Sequence, residues 1–361
     1  MSFWSGKRVF LTGHTGFKGG WLALWLGRLG ARVSGYSLAP PTQPSLFELA
    51  RVAEGVASNV IADVRDLSTL TRELRAAKPE VVFHLAAQSL VHASYADPVQ
   101  TYTTNVIGTV NVLEAARSTD SVRAVVVVTS DKCYENRESH SAYAEGDRLG
   151  GHDPYSNSKA CAELVTQSYR DSFFSKKTLK NSASIATARA GNVIGGGDWA
   201  ADRLLPDFVR AILEGKPVRI RRPDAVRPWQ HVLDPLSGYL RLAERLALEG
   251  EPWAQAWNFG PDDAGAKTVR SVVERFAQLW GPQAKWQADR EEHPHEAGLL
   301  RLDIGKAQRR LGWKPSWDLE RSLEKTVAWY QAYAARADMR SVSLGQIEQF
   351  EAARASLERT A

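Results

Sequence analysis

Two side chains with complementary chemistry, Tyr155 and Lys159, lie four residues apart in this sequence of 361 residues. Asp153 is a good helix N-cap and Pro154 a good first helical residue, so the pattern predicts a helix that carries both side chains on one face. An ordinary phenol has a pKa of about 10, and a neighbouring ammonium group and a helix N-terminus both favour the phenolate. Tyr155 is therefore predicted to act as an acid and base near neutral pH, although the same spacing also occurs on ordinary surface helices.

A polar triplet, Ser130-Asp131-Lys132, closely follows the apolar stretch of residues 124–128. Such a stretch predicts a strand buried in the centre of a parallel sheet. Ligands of open α/β sheets bind beyond the carboxyl ends of the strands. The three side chains are therefore predicted to take part in catalysis.

Three glycines separate a short β-rich run from a stretch whose apolar spacing predicts a helix. A strand, a glycine turn and a helix in this order form a phosphate cradle, because the turn needs positive φ and the helix N-terminus faces the anion. The GxxGxxG pattern therefore predicts a dinucleotide site. The residues of this turn predicted to contact the dinucleotide are Gly13, Thr15, Gly16, Phe17, Lys18 and Gly19.

The ends of other predicted strands add to this cofactor site. Asp63 and Val64 end the third strand, where Asp63 either meets the adenine ring or is a solvated carboxylate. Ala86 and Ala87 end a fourth, apolar strand and are small enough for a cofactor to pass closely. The second strand ends at Ser37 without the carboxylate that binds the adenosine ribose in NAD sites, which leaves NAD and NADP open.

A glycine-rich loop, residues 190–199, and an arginine-rich segment, residues 219–227, follow the catalytic residues in the chain. Their side chains offer hydrogen bonds, stacking and positive charge to a nucleotide, although a surface role explains the arginines equally well. The predicted substrate-binding residues are Gln88, Asn192, Asp198, Trp199, Arg203, Arg219 and Arg227.

Charge and composition argue against several other classes of protein. The formal net charge is +5, but Lys and Arg are scattered, which favours an anionic small molecule over nucleic acid. The longest apolar runs have the length of strands, so neither a membrane span nor a signal peptide is expected. Cys133 and Cys161 fit neither a disulfide framework nor a metal site, which predicts a cytoplasmic protein without a metal.

Taken together, these residues resemble the extended short-chain dehydrogenase/reductase family. The likeness covers nearly the whole chain, and within the family it is similar to the nucleotide-sugar 4,6-dehydratases. The segments that most resemble the branch acting on CDP-glucose are 12–19, 129–134 and 195–199, with further likeness at 302–306 and 311–315. The resemblance implies an α/β fold, a doubly wound parallel sheet of the Rossmann type, with a smaller C-terminal lobe for the substrate.

The resemblance also implies a domain organisation, a cofactor and partners. Residues 1–189 and about 229–260 would form the dinucleotide-binding domain, residues 190–228 and 261–340 the substrate lobe, and residues 341–361 a helical tail. NAD would be the cofactor, with Lys159 on its nicotinamide ribose, and a nucleotide sugar the substrate. A homodimer, formed through a four-helix bundle of the 98–116 helix and the Tyr155 helix, or a higher oligomer, would be the assembly.

The reaction implied is the conversion of CDP-glucose to its 4-keto-6-deoxy form with loss of water, a lyase reaction of deoxysugar and lipopolysaccharide O-antigen biosynthesis. Tyr155 would take the proton of the C4 hydroxyl, and a hydride would pass from C4 to NAD and back to C6. Ser130 would hydrogen-bond at O4, and Asp131 would protonate the departing hydroxyl. Lys132 stands where most such enzymes have a glutamate as the C5 base, and it must be neutral to accept that proton.

Two other functions fit much of the same pattern. A sugar-nucleotide 4-epimerase shares the cofactor turn and the Tyr155/Lys159 pair, but usually carries a small residue at the position of Asp131. A non-catalytic NAD(H)-binding regulator usually lacks the tyrosine or the lysine.

Overall fold

Seven parallel strands form the central sheet of the protein, whose computed structural model describes residues 2–137, 141–174, 183–262, 265–289 and 300–360. The strands are β1 Arg8–Thr12, β2 Arg32–Ser37, β3 Ser58–Ile61, β4 Val81–His84, β5 Ala124–Val128, β6 Ser184–Ala190, β7 Val193–Ile194, β8 Val218–Ile220, β9 Val226–Pro228, β10 Gln230–His231, β11 Ala256–Phe259, β12 Ala266–Thr268 and β13 Trp286–Ala288. The helices are α1 Phe17–Arg28, α2 Leu46–Leu49, α3 Leu67–Ala77, α4 Val91–Ala96, α5 Pro98–Tyr102, α6 Gly108–Arg117, α7 Pro154–Phe173, α8 Leu204–Leu213, α9 Leu233–Glu249, α10 Val269–Trp280, α11 Leu319–Ala334 and α12 Met339–Thr360.

The order of the strands creates the cleft in which a ligand can bind. Across the sheet the strands lie in the order β11, β6, β5, β4, β1, β2, β3, and all neighbouring pairs are parallel. The chain starts in the middle, at β1, and winds first towards one edge and later towards the other. Thr12 at the end of β1 pairs with His84 at the end of β4, so the loops after these strands open side by side. The predicted fold class, a doubly wound parallel sheet, is confirmed.

The apolar strands are buried because both faces of the sheet are covered by helices. All residues of β4 and β5 are buried, as their continuous apolar sequences predict. Successive side chains point to opposite faces, so Phe83 and Val126 enter one core while Val82 and Val125 enter the other.

Helix α7 begins where its sequence predicts. The Asp153 carboxylate accepts a hydrogen bond of 2.9 Å from the backbone N–H of Ser156, and Pro154 is the first helical residue. Tyr155 and Lys159 are both buried on the face of α7 that meets the sheet. The helix packs against α5, α6 and the segment between them, where the backbone widens into a π-helical turn over Thr103–Ile107.

Residues after β6 form the second wall of the cleft from much shorter elements. Strand β7 pairs with β10, β8 pairs with β13, and β9 pairs with β12 in an antiparallel ribbon. Each of these strands has only two or three residues. Within the described ranges, no helix combines the length and apolar character needed to cross a bilayer.

The last helix, α12, returns to the first. The ring of Phe350 is buried against Trp25 of α1, with 5.5 Å between ring centres, and the Trp25 indole N–H donates to Glu351 over 2.8 Å. Arg28, also on α1, forms ion pairs with Glu348 and Glu351. The described residues of the 341–361 segment thus belong to α12, while the predicted domain organisation stays a prediction.

Candidate active site

The glycine turn after β1 is shaped by two close approaches of the backbone. Gly13 has φ of +81°, and a β-carbon there would lie 2.7 Å from the backbone nitrogen of Ala86. A β-carbon on Gly19 would overlap the carbonyl oxygen of Gly13. Only glycine fits either position, so the turn stays tight and the N-terminus of α1 faces the cleft.

The charge at this helix N-terminus is not neutralised by the helix itself. Gly16 is the N-cap, no side chain caps the first turn, and that turn carries no acidic residue. Its backbone N–H groups and the positive end of the helix dipole are the donors that a pyrophosphate requires. The residues of the turn therefore fit a dinucleotide.

Thr15 and Lys18 extend from the same turn in different directions. The Thr15 hydroxyl donates to the carbonyl of Leu38 over 2.9 Å and lies 2.8 Å from the Ser37 hydroxyl, which ties the turn to the end of β2. Lys18 is half-buried on the cleft side. Burial and, to a lesser degree, the positive charge of Arg203 together lower its pKa to about 8, while Asp131 acts in the opposite direction.

Asp63 and Val64 lie just past the end of β3. The Asp63 carboxylate forms an ion pair of 2.6 Å with Arg65, and the side-chain amide of Asn111 donates to the Val64 carbonyl over 2.9 Å. Both residues line the cleft, as do Ala86 and Ala87 at the end of β4.

Tyr155 is buried, and its environment differs from the sequence-based expectation. Burial raises its pKa to about 12, while a hydrogen bond with Ser130 acts in the opposite direction. The expectation that the lysine and the helix N-terminus would lower this pKa is therefore wrong for the protein alone. Desolvation of the phenolate is the larger effect, because α7 is packed against the sheet at this point.

Lys159 lies one turn further along α7. Its ammonium group donates to the Val128 carbonyl over 3.4 Å, at the end of β5. Its pKa is lowered to about 8, chiefly by burial, and the carboxylate of Glu163 limits this change. The Glu163 carboxylate thus offsets part of the desolvation of Lys159.

Ser130, Asp131 and Lys132 begin a single turn of 3₁₀ helix after β5. The Ser130 hydroxyl donates to Asp131 Oδ1 over 3.0 Å and accepts from the backbone N–H of Lys132. The other carboxylate oxygen, Asp131 Oδ2, is buried without a hydrogen-bond partner among the described residues. A β-carbon on Gly191 would lie 2.8 Å from this oxygen, so only a glycine leaves room for it.

The predicted substrate residues lie on the opposite wall, with one exception. Arg203 pairs with Asp198 over 2.8 Å and also donates to Ser89, while the Trp199 ring packs edge-on against Tyr330. The remaining predicted residues on this wall are Asn192, Arg219 and Arg227. The exception is Gln88.

The side chain of Gln88 is turned away from the cleft. Its amide donates to the Leu90 carbonyl over 3.0 Å and to the Thr101 hydroxyl over 2.9 Å, and its oxygen accepts from the backbone of Leu90. Gln88 is absent from the residues that line the cleft. The structure therefore assigns it to the loop after β4 rather than to a ligand.

One cavity of about 670 Å³ joins these two walls, a size typical of ligand sites. Its lining includes the glycine turn, the Tyr155/Lys159 pair, the polar triplet and the predicted substrate residues other than Gln88. An anion cradle, a buried phenol, an ammonium group and a carboxylate with a free oxygen thus share one enclosed space. This arrangement can transfer protons at adjacent atoms of a ligand placed beside a dinucleotide.

A bridge of three side chains in the cavity lining, His92, Asp202 and Arg221, was not predicted from the sequence. Arg221 lies 3.1 Å from the ring of His92 on α4 and 3.5 Å from the Asp202 carboxylate. His92 and Asp202 are themselves 3.7 Å apart. Asp202 and Arg221 lie 110 or more positions after His92 in the chain, so no local pattern in the sequence predicts this contact.

The sequence of the chain is similar to those of known proteins. The family described as GDP-mannose 4,6 dehydratase matches residues 10–326. A CDP-glucose 4,6-dehydratase of Salmonella typhimurium is 51% identical over 353 residues, which cover 98% of each chain.

Solved structures share the fold at lower identity. A UDP-glucose 4-epimerase of Stenotrophomonas maltophila with bound NAD superposes with a TM-score of 0.78 at 22% identity, over 92% of this chain and 100% of that one. A dTDP-glucose 4,6-dehydratase of Bacillus anthracis in complex with NAD gives a TM-score of 0.75 at 22% identity, over 93% and 100%.

Proposed function

The chain belongs to the GDP-mannose 4,6 dehydratase family, and we propose that it converts CDP-glucose to its 4-keto-6-deoxy form with loss of water. The observation that carries this proposal is the 51% identity to a CDP-glucose 4,6-dehydratase over 98% of both chains. The enzyme is then an NAD-dependent hydro-lyase acting on a nucleotide sugar.

The residues of the cavity fit NAD at one end. The backbone of the glycine turn would hold its pyrophosphate, Asp63 and Val64 its adenosine, and Ala86 and Ala87 leave room for its passage. Lys159 would hold the nicotinamide ribose. When bound, NAD supplies a hydride acceptor for the sugar C4 and a hydride donor for C6.

Tyr155 and Ser130 act at the C4 hydroxyl in this proposal. A buried phenol that resists ionisation holds its proton between steps, while its bond to Ser130 and the positive charge of Arg203 favour the phenolate when a proton must be accepted. The Ser130 hydroxyl now donates to Asp131, its neighbour in the chain. Rotation of this hydroxyl would let it donate to O4 of the sugar instead.

Asp131 supplies the acid that elimination needs. A hydroxide leaves C6 only if it is protonated, and the free Oδ2 of Asp131 is a buried position from which a proton can be given. Lys132, which lines the cavity in the next position, is the proposed base at C5. An epimerase has no leaving hydroxyl and no need of this carboxylic acid.

The test is to incubate the protein with CDP-, dTDP-, GDP- and UDP-hexoses and to identify products by mass. We expect loss of one water from CDP-glucose and a 4-keto product. Epimerised but undehydrated sugar, or no turnover of any nucleotide sugar, would contradict the proposal.

A variant separates dehydratase from epimerase within the same protein. Asp131→Asn keeps the shape but removes the proton, so oxidation at C4 should continue while elimination slows by a factor on the order of 10² to 10⁴. Rapid mixing with CDP-glucose should show NADH absorbance that accumulates on the enzyme. Elimination at the wild-type rate would remove Asp131 from this role.

The assembly is proposed to be a homodimer through α7 and the α5–α6 segment. Three apolar side chains on these elements are exposed, namely Val99, Ile107 and Leu164, and their exposed fractions range from 49% to 71%. A second copy would cover them in a four-helix bundle. Sedimentation of the wild type and of an Ile107→Glu/Leu164→Glu variant tests this, with a shift to monomers expected in the variant.

The compartment is proposed to be the cytoplasm. Cys133 and Cys161 are both free thiols in the structure, which suits a reducing environment. Fractionation of cells that express the protein is the direct measurement.

A further inference from the structure

An ion pair beneath the catalytic residues takes no part in the mechanism described above. Glu163 and Arg189 lie 2.8 Å apart, and their side chains are only 3% and 4% exposed. Glu163 is on α7, one turn beyond Lys159, and Arg189 is near the end of β6. The pair therefore joins the helix that carries Tyr155 to the sheet.

The Glu163 carboxylate is surrounded by donors from two strands. It accepts from the Thr129 hydroxyl over 2.5 Å and from the Thr187 hydroxyl over 2.7 Å, in addition to Arg189. Thr129 is the residue directly before Ser130. Glu163 thus holds the chain at the N-terminal end of the polar triplet, Ser130-Asp131-Lys132.

Arg189 holds the other side of the triplet. Its guanidinium donates to the Tyr134 hydroxyl over 2.8 Å and to the Glu145 carbonyl over 3.1 Å, and lies 4.9 Å from the centre of the Tyr134 ring. The Tyr134 hydroxyl in turn donates to Asn258 over 2.7 Å. Tyr134 follows the turn that contains Asp131 and Lys132.

Stability alone does not explain a charged pair at this place. A buried ion pair replaced by apolar groups of similar volume often gives an equally stable protein, because both charges lose their hydration on folding. A fixed hydrogen-bond geometry is what apolar groups do not provide. The pair spans the catalytic turn on both sides, where such geometry has a consequence for the reaction.

We propose that Glu163 and Arg189 are positioning residues, which fix the turn of Ser130, Asp131 and Lys132 against Tyr155, and that Glu163, one turn from Lys159 on α7, also acts on that ammonium group. The inference rests on the proposed function for its kinetic test. The charged or titratable groups that surround Lys159 are Glu163 on its own helix, Cys133 on the catalytic turn, His84 on β4 and Lys18 on α1. Glu163 is the group that favours the ammonium most strongly, as its effect on the pKa of Lys159 shows.

The decisive variant is the apolar double replacement Glu163→Leu/Arg189→Met. Each single change leaves a buried charge unpaired and should lower the melting temperature by roughly 5–10 °C, whereas the double change should recover most of that loss. We expect the double variant to keep a kcat about 10²-fold below wild type, because misplacement of about 1 Å has such effects. Its KM for CDP-glucose should change by less than about threefold, since the sugar-binding wall is untouched.

A second measurement does not depend on turnover. Glu163→Gln keeps the size and some hydrogen bonds but removes the charge, so Lys159 should lose its proton at a pH about one unit lower. The affinity for NAD, titrated by calorimetry between pH 6 and about 9.5, should fall with rising pH, and the fall should come at lower pH in this variant. The matched control is Lys7→Met/Glu80→Gln, which removes an ion pair remote from the cavity.

The outcomes separate the two proposals. A double variant with both the melting temperature and the kcat of an active wild type would overturn the inference while leaving the function intact. An unchanged pH dependence of NAD affinity in Glu163→Gln would overturn the part that concerns Lys159. A wild type that dehydrates no nucleotide sugar defeats the proposed function, and the NAD titration still decides the inference.

Discussion

The two walls of the cavity are built in different ways. The cofactor wall consists of backbone at the ends of β1, β3 and β4, where glycines permit contacts that any side chain would block. The substrate wall consists of strands of two or three residues and of long arginine side chains such as Arg203 and Arg221, which are 33% and 29% exposed. The catalytic turn and Tyr155 lie between them.

This difference concerns how precisely each wall can place a ligand. Backbone and buried side chains are held by the packing of the sheet, so one small change displaces a catalytic group. Long arginine side chains, by contrast, lose rotamer freedom when they bind a ligand. We therefore expect steep losses of kcat from changes near the cofactor wall and moderate rises of KM from changes on the substrate wall.

The largest effect should come from Tyr155→Phe. Removal of the phenolic hydroxyl takes away the proton acceptor for C4, and kcat should fall by a factor on the order of 10⁴. NADH formation after rapid mixing with CDP-glucose measures the first step directly, and Tyr95→Phe, at an exposed tyrosine, is the control. Near-normal NADH formation in the Tyr155 variant would show that Tyr155 is not the proton acceptor.

Gly191→Ala should have the next largest effect. Its new methyl group would meet Asp131 Oδ2 at about the present 2.8 Å, so the carboxylate must move. We expect elimination to slow about 10²-fold, as for a misplaced catalytic group, with little change in the first oxidation. Gly146→Ala, where the added carbon meets nothing within 4 Å, is the matched control. Equal rates in both variants would mean that Asp131 tolerates displacement.

On the substrate wall, Arg227→Gln should raise KM for CDP-glucose about tenfold to hundredfold, the range for one hydrogen bond to a charged group. The value of kcat should stay within about threefold, because the contact is present before and after the chemical steps. Arg270→Gln, at an arginine outside the cavity lining, is the control in steady-state assays. A large loss of kcat with unchanged KM in the Arg227 variant would show that changes on the two walls have the same kinetic effect.

The smallest effect is a pH dependence of the free energy of unfolding, which comes from a buried histidine at the end of β4. His84 bonds to Thr12 over 2.8 Å, and burial lowers its pKa to about 3. Below a pH of about 6.5 the unfolded chain binds a proton that the folded protein does not. The free energy of unfolding should therefore decrease by about 1.4 kcal/mol per pH unit from this residue as the pH falls through 6 and 5.

Chemical denaturation at pH 7, 6 and 5 in wild type and His84→Gln measures this contribution, and the variant should show the flatter dependence. An identical slope in both proteins would show that His84 is protonated within the fold. No such loss is expected from the arginines of the substrate wall, since they stay charged throughout this range.

The same contrast explains what could be predicted from the sequence. The start of α7, the glycine turn and the buried strands follow from local patterns, because N-caps, positive φ and apolar runs act over a few residues. The cofactor residues that were predicted from local patterns all line one cavity, although their roles stay a prediction. The direction of the pKa change of Tyr155 was wrong, since desolvation depends on packing that a spacing of four residues does not describe.

Contacts between distant parts of the chain account for the rest. Gln88 faces its own loop because Thr101 and Leu90 satisfy it. The bridge of His92, Asp202 and Arg221 and the pair of Glu163 and Arg189 depend on tertiary packing. For the pair, one signal was available, because Glu163 lies at the helical spacing of four from Lys159, on the same face.

The packing of α12 against α1 has a consequence for folding during protein synthesis. A ribosome adds roughly 5–20 residues per second, so Trp25 emerges about 20 to 60 s before its partner Phe350 exists. During that interval the outer face of the first helix is uncovered, although the sheet beside it can already fold. Newly made chains are thus exposed to chaperones or to aggregation until translation passes residue 350, and slower synthesis lengthens the period of risk.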